Sequence, residues 1–268
     1  LGDIDADGTL TVSASGQTID LSGGGANDVT GAVTLTGAAV KLVDTTATSI
    51  AGITAIGDLT VTSGGAITQS GGLQVTGDST FVNKAGTNAA ITLGDSSNTF
   101  TGMVTFDTDT GSAVTIADTT SLELETLSVA SLNVTSGGAV TDSGTLAITG
   151  TTSINTSKSI TLDDTASTFG SLSLTGTDVA VIEADATDLG TSAVSGTLTI
   201  TSSGEVTDSG ALTVGGVTTV SASGQNITLD EASTFGSLAL TGANVAITEA
   251  DATQLGSSSV TGSLSITS

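Results

Sequence analysis

Aspartate residues recur at nearly constant intervals and carry most of the chain's capacity for chemistry. In the second half of the chain every interval is close to twenty-two positions, and the members are Asp142, Asp163, Asp185, Asp208, Asp230 and Asp251. Toward the amino terminus the series continues through Asp118, Asp95, Asp44 and Asp20, with an interruption at Gln69. Carboxylate oxygens are preferred ligands of Ca²⁺. The spacing therefore predicts a ladder of carboxylates, one for each turn of a repetitive fold, with Ca²⁺ as its candidate ligand.

Two interpretations of this ladder are open. In the first, each Asp takes a turn position, accepts a hydrogen bond from a nearby backbone N–H and is otherwise solvated. In the second, Ca²⁺ or another cation that prefers oxygen bridges neighbouring carboxylates, and further acidic residues add ligands, namely Asp164, Glu183, Glu231 and Glu249. Like charges on adjacent strands destabilise a sheet, so the second interpretation predicts that Ca²⁺ stabilises the fold. We expect no other cofactor.

The residue types that are missing exclude most other chemistry. The chain contains no His, Cys, Pro, Trp or Tyr, so it lacks the Ser-His-Asp and Cys-His nucleophile systems and the Cys/His zinc sites. Three Lys plus Arg residues against 27 Asp plus Glu give a net charge of −24, which repels nucleic acid. A catalytic constellation is usually unique, whereas these acids recur in every repeat. The sequence predicts a protein that is not an enzyme and does not bind nucleic acid.

The elements that must position the acids are themselves repeated. The string "LTVTSGGAITQSGGLQVTG" begins at Leu59, related strings begin at Leu132 and Leu198, and a fourth copy begins at Leu264. These starting points define a repeat of about 66 to 73 residues, a period typical of repetitive architectures built from several turns. Both ends of the sequence fall inside a repeat. We therefore expect residues 1–268 to be a single continuous segment of a longer repetitive chain.

Inside each repeat, apolar and polar residues alternate over a few positions, as at Leu198 and Ile200, and Gly, Ser, Asn and Asp separate the stretches. This pattern is typical of short β-strands, and no segment shows a helical period. Three turns of about 22 residues fit one repeat, which predicts an all-β parallel β-helix (β-solenoid) of about twelve coils. Equivalent residues should then stack in columns, with Leu59, Leu132, Leu198 and Leu264 as the example. Phe100, Phe169 and Phe235 share one repeat position and should be buried.

Several strings resemble the repeats of very large bacterial surface proteins. The segments "SGALTVGGVTT" and "SAVSGTLTITSSGEVTDSG" are similar to the repeat regions of filamentous-haemagglutinin-like adhesins of the two-partner-secretion type. The resemblance implies a right-handed β-helical stalk at the bacterial cell surface or outside the cell, acting in attachment, cell contact or matrix formation. The partners that we expect are further copies in a fibre and a host or cell-surface ligand.

Two further properties bear on function. Thr-x-Thr pairs such as Thr60 and Thr62 suggest an ice-binding face, but they recur once per repeat rather than once per turn, so this is the less favoured alternative. No apolar run approaches the length needed to span a bilayer. We therefore expect no membrane insertion within this segment.

Overall fold

A computed structural model describes residues 3–23, 27–84 and 86–268. In these ranges every regular element is a β-strand, and no helix is present. The chain forms a parallel β-solenoid of about 13 turns with about 20 residues per turn. The prediction of an all-β, right-handed parallel β-helix is confirmed. Each turn is slightly shorter than the sequence pattern predicts, which is why about 13 turns form instead of about twelve. No helix among the described residues is long and apolar enough to cross a membrane.

The chain divides into two compact units, Leu1–Gly138 and Ala139–Ser268. The described strands of the first unit are β1 (Asp5–Ala6), β2 (Leu10–Ala14), β3 (Ile19–Leu21), β4 (Asp28–Val29), β5 (Ala32–Gly37), β6 (Val40–Asp44), β7 (Thr48–Ala55), β8 (Leu59–Ser63), β9 (Ile67–Gln69), β10 (Leu73–Val75), β11 (Ser79–Asn83), β12 (Ile91–Leu93), β13 (Thr99–Phe100), β14 (Val104–Thr108), β15 (Ala113–Asp118), β16 (Leu122–Leu124), β17 (Leu127–Val129) and β18 (Ser131–Ser136).

The strands of the second unit follow the same plan. They are β19 (Val140–Asp142), β20 (Leu146–Thr156), β21 (Ile160–Leu162), β22 (Thr168–Gly176), β23 (Val179–Glu183), β24 (Thr187–Leu189), β25 (Ser192–Val194), β26 (Leu198–Ser202), β27 (Val206–Asp208), β28 (Leu212–Ser221), β29 (Ile227–Gly242), β30 (Val245–Glu249), β31 (Ser259–Val260) and β32 (Leu264–Thr267).

The alternation of apolar and polar residues explains how each strand is oriented. In β8, Leu59, Val61 and Ser63 are buried, while the Thr residues between them are partly exposed. Successive side chains of a strand point to opposite faces of the sheet, so every second residue enters the interior. Parallel pairing then stacks inward residues of successive turns into columns, such as Leu42, Val61, Phe81 and Phe106. Burial of these columns supplies the main stabilisation of the fold.

The aromatic residues fill the interior as predicted. Phe100 is fully buried, and Phe169 and Phe235 are each only 4% exposed. In the first unit Phe81 lies between two other rings, in an edge-to-face contact with Phe100 and a stacked contact with Phe106. These large side chains occupy space that the smaller Val and Ile residues of other turns would leave empty.

The predicted column of repeat-start leucines is wrong. In the first unit Leu59 pairs with Val40 and Ser79. Leu132 belongs to a different column, which runs through Val114 and Ile91 to Ile67. Ile67 begins β9, the strand that follows β8. Leu132 is therefore displaced from Leu59 by one strand around the turn.

The second unit shows the same displacement. Leu198 pairs with Val179 and Thr218, whereas the column of Leu264 runs through Val245 and Ile227 to Val206. The reason is that the step from Leu198 to Leu264 is not a whole number of turns of about 20 residues. The prediction of three coils per repeat is corrected to about three and one-third turns. Each copy of the repeat therefore begins one strand, or about a third of a turn, further around the solenoid.

Close backbone stacking between turns leaves no room for a side chain at some glycines. A Cβ atom added at Gly64 would overlap the backbone oxygen of Thr45 in the preceding turn. The Gly64 N–H donates to the backbone oxygen of Asp44 at 2.8 Å. We expect Gly64→Ala to lower the free energy of unfolding by about 1–3 kcal/mol, because the turns must separate to admit the methyl group. Urea titration followed by circular dichroism measures the change.

Gly94→Ala is the matched control for this substitution. Its added Cβ would contact only the Thr115 Cγ2 atom, at 3.9 Å, so its effect should stay within about 0.5 kcal/mol. Equal effects of the two substitutions would show that the contact at Gly64 does not limit the spacing of the turns.

Candidate functional site

The Asp series forms two stacked pairs in the second unit. The backbone N–H groups of Asp163 and Asp164 donate to the two carboxylate oxygens of Asp142, at 2.9 and 3.4 Å. In the equivalent place one repeat later, the N–H groups of Asp230 and Glu231 donate to Oδ1 of Asp208, at 2.8 and 3.4 Å. In each pair, one carboxylate holds the backbone of the next turn.

The other two predicted members lie elsewhere in the turn. The N–H of Gly204 donates to the backbone oxygen of Asp185 at 2.9 Å, so Gly204 rather than Asp208 is the neighbour of Asp185 in the next turn. The N–H of Ala250 donates to the Ser233 oxygen at 2.7 Å, which places Asp251 beside the Ser233 region and away from Asp230.

The expectation of one continuous ladder is therefore wrong. The six residues divide into the stacked pairs Asp142 with Asp163 and Asp208 with Asp230, and the separate positions Asp185 and Asp251. Each interval of the Asp series is longer than a turn of about 20 residues, so the Asp residues drift along the turn from one member to the next. At Asp142 and Asp208 the observed contacts match the interpretation in which Asp accepts backbone hydrogen bonds.

Burial changes the acidity of these two acceptors. Burial, helped by the nearby charges of Asp230 and Glu231, raises the pKa of Asp208 to about 6 against the effect of the backbone hydrogen bonds. Burial also raises the pKa of Asp142, with a smaller contribution from the charge of Asp163. The Oδ2 atom of Asp208 is buried and has no hydrogen-bond partner.

A second set of acids occupies the interior and was only partly anticipated. These residues share one position, the last residue of a strand, and all are at most 4% exposed: Asp44, Asp118, Glu183 and Glu249. The sequence carries a signal for them. In "VAVIE" the alternation that buries Val179 and Val181 also buries Glu183. An acid at the inward phase of a strand marks a buried carboxyl group.

In the first unit the buried acids are well supplied with donors. Asp44 accepts from the Thr46 N–H and hydroxyl, each at 3.1 Å, from the Thr48 hydroxyl at 3.2 Å and from the Val29 N–H at 3.4 Å. Asp118 accepts from the N–H and hydroxyl of Thr120, each at 3.0 Å, and from a backbone N–H of the preceding turn. We call the segments 44–48 and 118–120 the Asp loops.

In the second unit the corresponding segments read Glu-Ala-Asp-Ala-Thr, and we call Glu183–Thr187 and Glu249–Thr253 the Glu loops. Glu183 Oε1 accepts from the Phe169 N–H at 2.8 Å. Its Oε2 atom, both carboxylate oxygens of Glu249 and the hydroxyl oxygens of Thr187 and Thr253 are buried without a hydrogen-bond partner. Burial, helped by the charge of Asp185, raises the pKa of Glu183 to about 7 against the opposite effects of the Thr187 hydroxyl and the Phe169 N–H.

These loops are the strongest candidate for ion binding. No group of three or more His, Cys, Asp and Glu side chains that could hold a metal ion occurs in the described ranges. Each Glu loop instead combines two carboxyl groups with one Thr hydroxyl. Hard cations take carboxylate, hydroxyl, carbonyl and water oxygens together, so two carboxylates are a sufficient anionic contribution.

Fold and acids together define a repetitive parallel β-solenoid whose charged groups recur with the repeat. The family model described as repeats of unknown function (DUF5649) matches residues 37–107, 111–175 and 176–241. These segments cover more than half of the chain, and the chain belongs to this repeat family. No curated protein and no solved structure matches it. The family description names no adhesin, so the resemblance to filamentous-haemagglutinin-like proteins stays a prediction.

Proposed function

We propose that this chain is a structural segment of an extracellular bacterial surface protein, a stalk or fibre that serves attachment, cell contact or matrix formation. The observation that carries the proposal is the displacement of each repeat by one face, seen for Leu59 and Leu132 and again for Leu198 and Leu264. A repeat that is rotated about the solenoid axis from one copy to the next adds length to the solenoid. It does not place the same residues on one face in every copy, so it does not build one continuous binding surface.

The chemistry of the surface supports the same role. A net charge of −24 surrounds an interior of stacked Leu, Ile, Val and Phe, and a high net charge keeps extended molecules apart in solution. The partners that fit are further copies within a fibre and a ligand on a cell surface. Non-enzymatic function is part of the proposal, because the acids that could act in catalysis recur in each repeat.

The register also weighs against an ice-binding function. A flat hydroxyl array needs Thr opposite Thr in every turn. Thr60 pairs with Thr80, and Thr80 pairs with Thr105, but on its other side Thr60 pairs with Lys41. The row of hydroxyls ends there at a long charged side chain, so we do not propose ice binding.

Cellular location tests the proposal directly. We expect antibodies raised against residues 139–268 to label intact cells of the source bacterium, and external protease to remove the label while a cytoplasmic marker survives. Electron microscopy of the native protein released from these cells should show elongated particles. Labelling that appears only after lysis, or compact native particles, would contradict an extracellular stalk.

A further inference from the structure

The Glu loops differ from the Asp loops in the balance of donors and acceptors. In the Asp loops a Thr two residues after the acid, Thr46 or Thr120, supplies both an N–H and a hydroxyl donor to the buried carboxylate. At the equivalent place the Glu loops have Asp185 and Asp251. A donor has thus been replaced by a second carboxyl group in both copies.

Side-chain length enlarges the difference. Glu is one methylene longer than Asp, and Glu183 keeps the bond from the preceding turn, which the Phe169 N–H donates, as the Phe100 N–H does to Asp118. Both carboxylate oxygens of Glu249 and the Thr253 hydroxyl oxygen are buried without a hydrogen-bond partner. Glu183 Oε2 and Thr187 Oγ1 are buried and make no hydrogen bond of good geometry, although the Thr187 hydroxyl is near enough to lower the pKa of Glu183. Glu183 and Glu249 are 1% and 3% exposed. Buried ionised carboxylates without partners are costly, so the ionised form of each Glu loop is stabilised by a positively charged group.

The second unit does not supply that group from its own side chains. Its sole Lys or Arg is Lys158, which is exposed and lies between β20 and β21, three strands before the first Glu loop. A cation from solution can supply the positive charge. The middle of each loop, Ala184 to Ala186 and Ala250 to Ala252, is exposed, so Asp185 and Asp251 meet solvent while the Glu residues of the loops lie buried.

We propose that each Glu loop binds one divalent cation of the Ca²⁺ type through the Glu and Asp carboxylates and the Thr hydroxyl oxygen. The donor set contains only oxygen, which selects hard cations. Ca²⁺ accepts irregular geometry and completes its shell with water and backbone carbonyls, whereas Mg²⁺ demands a near-ideal octahedron. The proposal does not depend on the stalk function, and it moves the expected Ca²⁺ site from the Asp142–Asp163 and Asp208–Asp230 pairs to the Glu loops.

Calorimetric titration of the whole chain with CaCl₂, after chelator treatment and at pH 7.5 in NaCl of physiological ionic strength, tests the proposal. We expect the wild-type chain to bind two Ca²⁺ ions. The Glu183→Gln variant should bind one ion, and the double variant Glu183→Gln with Glu249→Gln should bind none. Ca²⁺ should also raise the Tm of the wild-type chain by several degrees more than NaCl of equal ionic strength, because it binds only the folded loops.

Two further variants keep the test decisive. Glu183→Asp with Asp185→Thr, together with Glu249→Asp and Asp251→Thr, rebuilds the donors of the Asp loops, so we expect this chain to fold without binding Ca²⁺. Asp142→Asn with Asp208→Asn should leave both ions bound. The proposal is overturned if wild type takes up no Ca²⁺, if the rebuilt loops bind as wild type does, or if the Asp142 and Asp208 variant loses both ions. It is equally overturned if only acidification raises the Tm, since the loops would then hold protons.

Discussion

Phe81→Ala should lower the free energy of unfolding by about 3–5 kcal/mol, the cost typical of removing a fully buried aromatic ring. Phe81 has no exposed surface. Its ring centroid lies 6.1 Å from that of Phe100 and 5.7 Å from that of Phe106. The substitution removes both ring contacts and leaves a cavity that the paired strands β8 and β14 cannot easily close, because their spacing is fixed by backbone hydrogen bonds.

Hydrogen exchange shows where this loss occurs. The contacts of a solenoid are mainly between neighbouring turns, so we expect protection to fall most in β8, β11 and β14 and to persist in β2 and β3. Thr80→Ala is the matched control, because Thr80 lies next to Phe81 on the outward face of the same strand and is partly exposed. A uniform loss of protection through the first unit, or an equal effect of Thr80→Ala, would contradict a stacked, locally stabilised architecture.

Metal-free protein should become less stable as the pH rises from 5 to 8. The pKa of Glu183 is raised from 4.5 to about 7 in the folded chain, chiefly by burial. Below the unfolded pKa the carboxyl group is protonated in both states, so its stabilising contribution is fully present there. Above the folded pKa the group is ionised in both states and that contribution is lost. The shift corresponds to about 3 kcal/mol.

Urea unfolding in the presence of a chelator, at several pH values, measures this loss. Asp208, whose pKa rises from 3.8 to about 6, and the general repulsion of acidic groups act in the same direction. Glu183→Gln isolates the contribution of one residue, and we expect its pH dependence to be weaker than that of wild type by about 3 kcal/mol. Glu205→Gln, at an exposed position, should behave as wild type does. Identical pH profiles for Glu183→Gln and wild type would refute the assignment.

The strands and their inward residues could be predicted from the sequence because alternation is a local property. Leu198 and Ile200 are both buried, as their spacing indicates. The length of a turn could not be predicted, because it depends on corners that carry no periodic signal. Leu59 pairs with Ser79, and Ser79 pairs with Val104, so the second of these two turns is the longer. The repeat in the sequence therefore reports the period of duplication and not the period of winding.

In the candidate site, too, some features could be predicted from the sequence and others could not. Regular spacing identified Asp142 and Asp208, and both accept backbone hydrogen bonds from the next turn. It also grouped Asp185 with them, although Asp185 lies at another corner. The partners of Glu183 were beyond prediction from sequence. Glu183 and Asp118 both accept an N–H of the preceding turn, and which of the remaining carboxylate oxygens finds a donor depends on three-dimensional contacts within the loop.

Because the repeat is not a whole number of turns, the direction in which a copy faces depends on how many copies precede it. At about 20 residues per turn, the gain or loss of one copy such as Leu198–Ser263 would rotate all later residues about the solenoid axis by about a third of a revolution. Three copies would restore the original azimuth. Variation in copy number within such a chain would therefore change the direction in which an attached domain faces as well as its distance, and only changes in multiples of three would alter distance alone.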